Sequence, residues 1–247
     1  MALASGNPAL KAMERTIHQE IDQPVMTVQG TVNKILILLG CALLTATYAW
    51  SQAGSQHVQA IMIGGLIGGL VFSLITIFKP EAARITAPLY ALCEGLFLGA
   101  LSAVVQNAIP HTPIVMQAAG LTFATLLAMG IAYKTGTIKA TEKFKSGVIA
   151  ATGAVCMVYF VTMILRLFGV EVPFIHQGGP IGIGISLIVI VIAALNLVLD
   201  FDFIERGAEN NLPKNYEWYG AFGLMVTLVW LYLEILRLLI IIASSRD

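Results

Sequence analysis

Seven long apolar segments, separated by short polar loops, constrain this chain more than any other feature. Each has about the 20 residues that an α-helix needs to cross a bilayer. They are continuous apolar runs rather than the alternating strands of a membrane barrel, so the sequence predicts an all-α integral membrane protein, a bundle of seven transmembrane helices. We place the spans near residues 32–50, 58–78, 85–105, 114–133, 146–168, 181–201 and 218–243.

The composition agrees with a membrane protein. Hydrophobic residues make up 57% of the chain and charged residues only 11%, whereas a soluble domain carries roughly 25% charged residues. The formal net charge is +0, so the chain lacks the basic excess of a nucleic-acid-binding protein. The three cysteines lie inside apolar runs without CxxC spacing. We therefore expect no disulfide framework and no bound cofactor.

Lysine and arginine are concentrated on one side of the predicted membrane. Under the positive-inside rule this side is cytoplasmic, which places the N-terminus in the cytoplasm and the C-terminus outside. Residues 1–30 are predicted to form a polar cytoplasmic arm without a cleavable signal peptide, and residues 31–247 form the transmembrane domain. The basic residues on this side are Lys11, Arg15, Lys34, Lys79, Arg84, Lys134, Lys139, Lys143, Lys145, Arg206 and Lys214.

Glycines recur at intervals of four residues in the second and third spans. Such small-xxx-small pairs let helix backbones approach closely, so we interpret them as packing surfaces. The pairs are Gly64 with Gly68, Gly65 with Gly69, and Gly95 with Gly99.

Acidic residues occur inside the apolar spans, where an unpaired charge costs at least ~2.5 kcal/mol. Glu94 lies midway along the third span. Asp200 and Asp202 lie near the end of the sixth span, and Glu234 lies deep in the seventh. Each of them needs a partner, water or a proton, so all four are functional candidates.

Spacing distinguishes these candidates. Asp200 and Asp202 are two residues apart, about 200° around a helix, so both cannot face the same cavity. Asn196 lies four residues before Asp200 on the same helix face, which favours Asp200 as the inward residue. In the last span, Arg237 is three residues beyond Glu234 and close enough to form an ion pair with it.

We expect Asp200 and Glu234 to act as a pair. If the sixth and seventh helices bring them together, desolvation and like-charge repulsion favour the neutral form of one carboxyl, and the pair shares a proton near physiological pH. Simpler interpretations stay open. Glu234 could merely neutralise Arg237, Glu94 could be a protonated packing acid, and Asp202 could be solvated at the helix exit.

At these residues the sequence resembles a known family. The run LNLVLDFDFIERGAE at the end of the sixth span and the run LYLEILRLL in the seventh are similar to bacterial members of the Bax inhibitor family, the transmembrane Bax inhibitor motif proteins, on the YccA-like branch. The resemblance covers nearly all of the chain after the arm. It implies that Asp200 and Glu234 match a pH-sensing carboxylate latch that controls a calcium leak across the bacterial inner membrane, with Ca²⁺ binding at this pair.

Two departures from the family leave the pH range and ion selectivity open. Glu234 stands where the family usually has Asp, which is one methylene shorter. The family's reference calcium-leak member also has an arginine near the second and third helices that can pair with the latch. Here Lys79 and Arg84 are both candidates for that role, and Arg237 is a possible substitute.

Two functions of different classes follow. The resemblance implies a pH-sensitive cation channel or transporter that conducts Ca²⁺, and acidic oxygen ligands suit that ion. The alternative is a non-conducting regulator that binds a membrane protease or stress-response partner through the glycine-rich second helix and the polar arm. An enzyme is not predicted, because the chain has no HExxH, GxxxxGK[ST] or Gly-x-Gly-Asp motif and no assembled nucleophile and base.

Overall fold

The computed structural model describes residues 24–169 and 180–245. Within these residues seven helices are long and apolar enough to cross a membrane, which confirms the predicted seven-helix bundle. The first 23 residues of the predicted arm lie outside the described residues, and the first helix begins inside the predicted arm. The helices are α1 Val28–Ser51, α2 Val58–Phe78, α3 Ala83–Ala108, α4 Ile114–Lys134, α5 Glu142–Leu167, α6 Pro180–Glu209 and α7 Tyr216–Ser244.

α7 occupies the centre of the bundle, where it packs against α1, α3, α4 and α6. α1 and α2 both pack closely on α3, and α1 and α3 together cover one side of α7. α5 packs chiefly on α6 at the periphery. Large apolar side chains on α2, α4 and α5 are exposed, as expected for surfaces that face lipid.

The two ends of the bundle differ in charge. One end holds the start of α1 and the loops 79–82, 135–141 and 210–215, and we call it the basic end. α6 continues past its predicted end at residue 201 to Glu209, because Glu205, Arg206 and Ala208 beyond the apolar run are good helix formers. The basic residues described at this end are Lys34, Lys79, Arg84, Lys134, Lys139, Lys143, Lys145, Arg206 and Lys214.

Glycines determine how closely α3 approaches its neighbours. A Cβ at Gly95 or Gly99 would collide with backbone oxygens of α1, and a Cβ at Gly65 would lie 2.6 Å from the Phe97 nitrogen of α3. By contrast, nothing lies within 4 Å of a Cβ built on Gly64. Gly65, Gly95 and Gly99 therefore lie at close contacts between helices, whereas Gly64 faces away from the bundle.

This difference gives a matched pair of variants. Gly99→Ala is expected to lower the free energy of unfolding by about 1–3 kcal/mol, because α1 must move away from α3 to admit the methyl group. Gly64→Ala is expected to be neutral or stabilising, because alanine favours the helix by up to about 1 kcal/mol. Unfolding of both variants in detergent, followed by circular dichroism, measures the difference. Equal stabilities would contradict this account of the packing.

A fully buried carboxylate joins the start of α1 to the start of α7. Glu217 is 0% exposed, and its carboxylate accepts hydrogen bonds from the backbone N–H of Thr27 at 3.1 Å and the Thr27 hydroxyl at 2.9 Å. The Lys34 ammonium lies 2.9 Å from its second oxygen. Gly30 provides the space, because a Cβ there would collide with the carboxylate. We call Glu217, Thr27 and Lys34 the Glu217 clamp.

The residues just before α1 are fastened to the loop between α6 and α7. The backbone N–H of Met26 donates to the Leu212 carbonyl at 2.7 Å, and that of Lys214 donates to the Pro24 carbonyl at 3.0 Å. The Met26 side chain is buried beside Gly207. The basic ends of α1, α6 and α7 therefore form one connected unit.

Candidate functional site

Polar side chains lie along the interface of α5, α6 and α7, on one side of the central helix. On α5 they are spaced by seven residues, which is almost two full turns, so they share one helix face. Most of them contact a polar group on a neighbouring helix, as detailed below. We call this set the polar column: Lys145, Thr152 and Tyr159 of α5, Asn196, Asp200 and Asp202 of α6, and Thr227, Glu234 and Arg237 of α7.

At the basic end, Asp202 joins α5 to α6. Its carboxylate lies 2.7 Å from the Lys145 ammonium and 3.0 Å from Nε of Arg206. Asp202 is only 8% exposed, so the interpretation of this residue as a solvated acid at a helix exit is wrong. The reason is that α6 continues as a helix beyond Asp202, which directs this side chain toward the first turns of α5.

Asp200 faces the central helix, in the inward direction that the spacing with Asn196 indicated. One carboxylate oxygen is 3.6 Å from the position of a Cβ built on Gly223, and the Thr227 side chain lies beside it. The other oxygen is buried and has no hydrogen-bond partner among the described residues. A carboxyl with an unused oxygen in an apolar bundle can bind a proton, a water molecule or a cation.

Asn196 makes the next connection along the column. Its side-chain amide donates to the Thr152 hydroxyl at 2.8 Å and to the Ile192 carbonyl at 2.8 Å. The face that Asn196 shares with Asp200 thus lies between α5 and α7.

Glu234, Tyr159 and Arg237 form a linked group farther from the basic end. The Tyr159 hydroxyl donates to one oxygen of Glu234 at 2.6 Å and accepts from Nη1 of Arg237 at 2.8 Å. Nη1 of Arg237 is 3.7 Å from the other Glu234 oxygen, so the ion pair predicted from their spacing is present. Glu234 is 5% exposed, and its second oxygen accepts no hydrogen bond among the described residues, although the Arg237 charge lies near it.

Asp200 and Glu234 have different neighbours in this conformation. Asp200 lies beside Thr227, and Thr227 is seven residues, or about 10 Å along the axis of α7, from Glu234. Among residues 24–169 and 180–245, no three His, Cys, Asp or Glu side chains converge as metal ligands. Direct contact of the two carboxyls requires another arrangement of α6 and α7, and the latch stays a prediction.

The other predicted site residues lie outside the polar column. Glu94 is buried where α3 meets α2, with one oxygen 2.7 Å from the position of a Cβ built on Gly69 and with Tyr90 beside it. Lys79 and Arg84 are exposed at the basic end. The basic residue that contacts Glu234 is therefore Arg237, one of the three candidates considered from the sequence.

The contribution of the Tyr159 hydroxyl to stability can be compared with that of the Tyr133 hydroxyl. The Tyr133 hydroxyl donates to the exposed Glu205 at the basic end. Tyr159→Phe is expected to lower the free energy of unfolding by about 1.5–3 kcal/mol, because it removes buried hydrogen bonds to charged groups. Tyr133→Phe is expected to cost at most about 1 kcal/mol, because its partner is solvated. Chemical unfolding in detergent gives both values. A loss from Tyr159→Phe no larger than that from Tyr133→Phe would show that Tyr159 is not a structural link.

The α5 residues of the column were not predicted from the sequence. Hydropathy places Lys145 in a loop and Thr152 and Tyr159 in an apolar span, although their seven-residue spacing marks one polar face of a helix. That spacing is the signal that could have identified α5 as the partner of Asp202, Asn196 and Glu234.

The fold and these contacts define a multi-pass membrane protein with acids buried between its helices. Residues 7–244 match the family described as Bax inhibitor 1 like, so the chain belongs to the Bax inhibitor family. This confirms the resemblance at the level of the family, and the YccA-like branch stays a prediction. A search of curated proteins finds no match.

Proposed function

We propose that this protein is a pH-sensitive leak channel or transporter for cations, Ca²⁺ in particular, gated by Asp200 and Glu234. The polar column is the observation that carries the proposal. It supplies acids at successive levels along one interface of an otherwise apolar bundle. Acidic groups along such a route attract cations and repel anions.

The contacts of Glu234 suggest how the route is closed. Tyr159 donates to one oxygen of Glu234 and the Arg237 guanidinium lies 3.7 Å from the other, and a guanidinium at this level opposes the passage of a cation. Opening then requires Glu234 to leave these partners and α6 and α7 to shift along each other until Glu234 reaches Asp200. Protonation of either acid changes the free energy of that rearrangement, which is the physical basis of the proposed pH dependence.

Calcium suits an opened pair of carboxylates. Ca²⁺ takes 6–8 oxygen ligands in flexible geometry, and two carboxylates provide up to four. Water or backbone carbonyls complete the shell. Partial retention of water agrees with a leak, because an ion bound too tightly cannot leave the site.

Reconstitution of the purified chain into liposomes tests conduction. A Ca²⁺-sensitive dye inside the vesicles reports entry between about pH 6 and about pH 8, and protein-free vesicles are the control. The expected result is a protein-dependent flux that changes with pH. If no cation crosses at any pH while circular dichroism shows a folded helical protein, the conduction proposal is wrong.

The alternative is a non-conducting regulator in the bacterial inner membrane that binds a membrane protease or stress-response partner. The open face of Gly64 on α2 favours this alternative, because small lipid-facing residues admit a partner helix. Gly64→Leu is then expected to abolish co-purification of the partner and to leave the bundle folded. The orientation with a cytoplasmic N-terminus is part of both proposals, and cysteine labelling of the loops at the basic end tests it.

A further inference from the structure

An apolar crevice lies on the side of α7 away from the polar column. α1, α3, α4 and α7 bound this crevice, which has a volume of about 340 Å³. It does not involve Asp200, Glu234 or any other member of the column. The residues that define its walls include Ala46, Trp50, Gly99, Ala119, Phe123 and Val229.

The few polar groups in the walls are already hydrogen-bonded. The Ser102 and Tyr232 hydroxyls are 2.6 Å apart and satisfy each other. Thr47 and Thr122 donate to carbonyls of their own helices, each at 2.8 Å. Apolar cavities whose polar groups are satisfied stay dry and bind apolar molecules. The occupant of this crevice is therefore expected to be hydrocarbon rather than water or an ion.

The crevice is elongated along the helices and opens toward the membrane. Its wall on α1 extends from Leu39 to Trp50, eleven residues or about 16 Å along the helix axis. Leu43 and Phe123 border it and are 58% and 42% exposed on lipid-facing surfaces. Trp50, at the end of α1, is the kind of residue that lies at a membrane interface. The long axis of the crevice thus parallels the lipid chains around it.

The crevice lies on a lipid-facing side of the bundle, and a single hydrocarbon chain of the bilayer can enter it from the open side. We propose that this crevice binds one acyl chain of a glycerophospholipid, with the headgroup near Trp50 at the end opposite the basic end.

Photo-crosslinking tests this site in the full-length protein. The protein is reconstituted in liposomes that contain a phosphatidylcholine with a diazirine midway along one acyl chain, illuminated, digested and mapped by mass spectrometry. The expected result is a several-fold excess of adducts at Ala46, Ala119 and Phe123 over those at Met157 and Phe160. The last two residues are exposed on α5 without a crevice and report ordinary lipid contact.

Two phenylalanine variants of α4 provide the matched comparison. Ala119→Phe fills the crevice and is expected to reduce adducts on α1 several-fold. Ala124→Phe adds the same group to the exposed face of α4 and is expected to leave them unchanged. The proposal is wrong if the crevice and α5 are labelled equally, or if the two variants are labelled equally on α1. It is also wrong if a protein dimer is cross-linked through the crevice. If Ala119→Phe does not fold, the ratio between the crevice and α5 in the unmodified protein decides the question.

Discussion

Calcium flux through liposomes that contain Asp200→Asn or Glu234→Gln is expected to lose its pH dependence. An amide has nearly the shape of the neutral carboxyl and does not titrate. Each variant therefore keeps one charge state at the substituted position, and the ratio of its rates at about pH 8 and about pH 6 falls to about one. Stopped-flow measurement of Ca²⁺ entry gives this ratio directly. If both variants keep the original pH profile, these acids are not the gate.

The two variants are expected to differ in the rate that they support. Glu234→Gln leaves the Arg237 guanidinium without the charge that now lies 3.7 Å from it, and an uncompensated cation in the route opposes Ca²⁺. Asp200→Asn has no such effect, so its flux is expected to be the higher of the two. Asp202→Asn is the control. Its flux is expected to keep the original pH dependence, because Asp202 forms ion pairs with Lys145 and Arg206 instead of facing α7.

Glu217→Gln is expected to cause the largest loss of stability of any single substitution considered. Removal of one partner of a buried ion pair leaves the other charge uncompensated, which costs about 3–5 kcal/mol. Lys34 retains some exposure, so a loss of about 3 kcal/mol is expected. Thermal or detergent-induced unfolding measures it.

An exposed acid at the same end of the bundle gives the control for Glu217. Glu209→Gln, in the last turn of α6, is expected to change the stability by no more than about 0.5 kcal/mol. Lys34→Met in the Glu217→Gln background removes the less exposed of the two lysine charges beside residue 217 and is expected to restore part of the loss. If Glu217→Gln is as stable as Glu209→Gln, the clamp does not stabilise the fold.

The fold could be predicted because a membrane imposes a simple rule on sequence. A helix must present about 20 apolar residues to cross the bilayer, and α2 and α4 agree with this rule almost to the residue. The extension of α6 to Glu209 could not be predicted from hydropathy, because helical hydrogen bonding continues where the apolar run stops. The burial of Asp202 follows from that extension.

The candidate acids could be identified, but their partners could not. Glu234 is conspicuous because it is a charge among apolar residues, whereas Tyr159 is an ordinary residue in an apolar span 75 positions earlier. The same limit applies to Glu217, whose burial depends on Thr27, 190 positions away. Distance in the sequence hides such pairs, and only the packing of helices brings them together.

Under the proposed gating, the peripheral position of α5 couples proton binding to events on the outer surface of the bundle. α5 rests chiefly on α6 and reaches α7 through the bond between Tyr159 and Glu234. A lipid or protein that displaces α5 must change the affinity of Glu234 for a proton. By thermodynamic reciprocity, protonation of Glu234 changes the affinity of α5 for that lipid or protein by the same factor. A molecule that never touches either acid thereby acquires a pH-dependent affinity for this bundle.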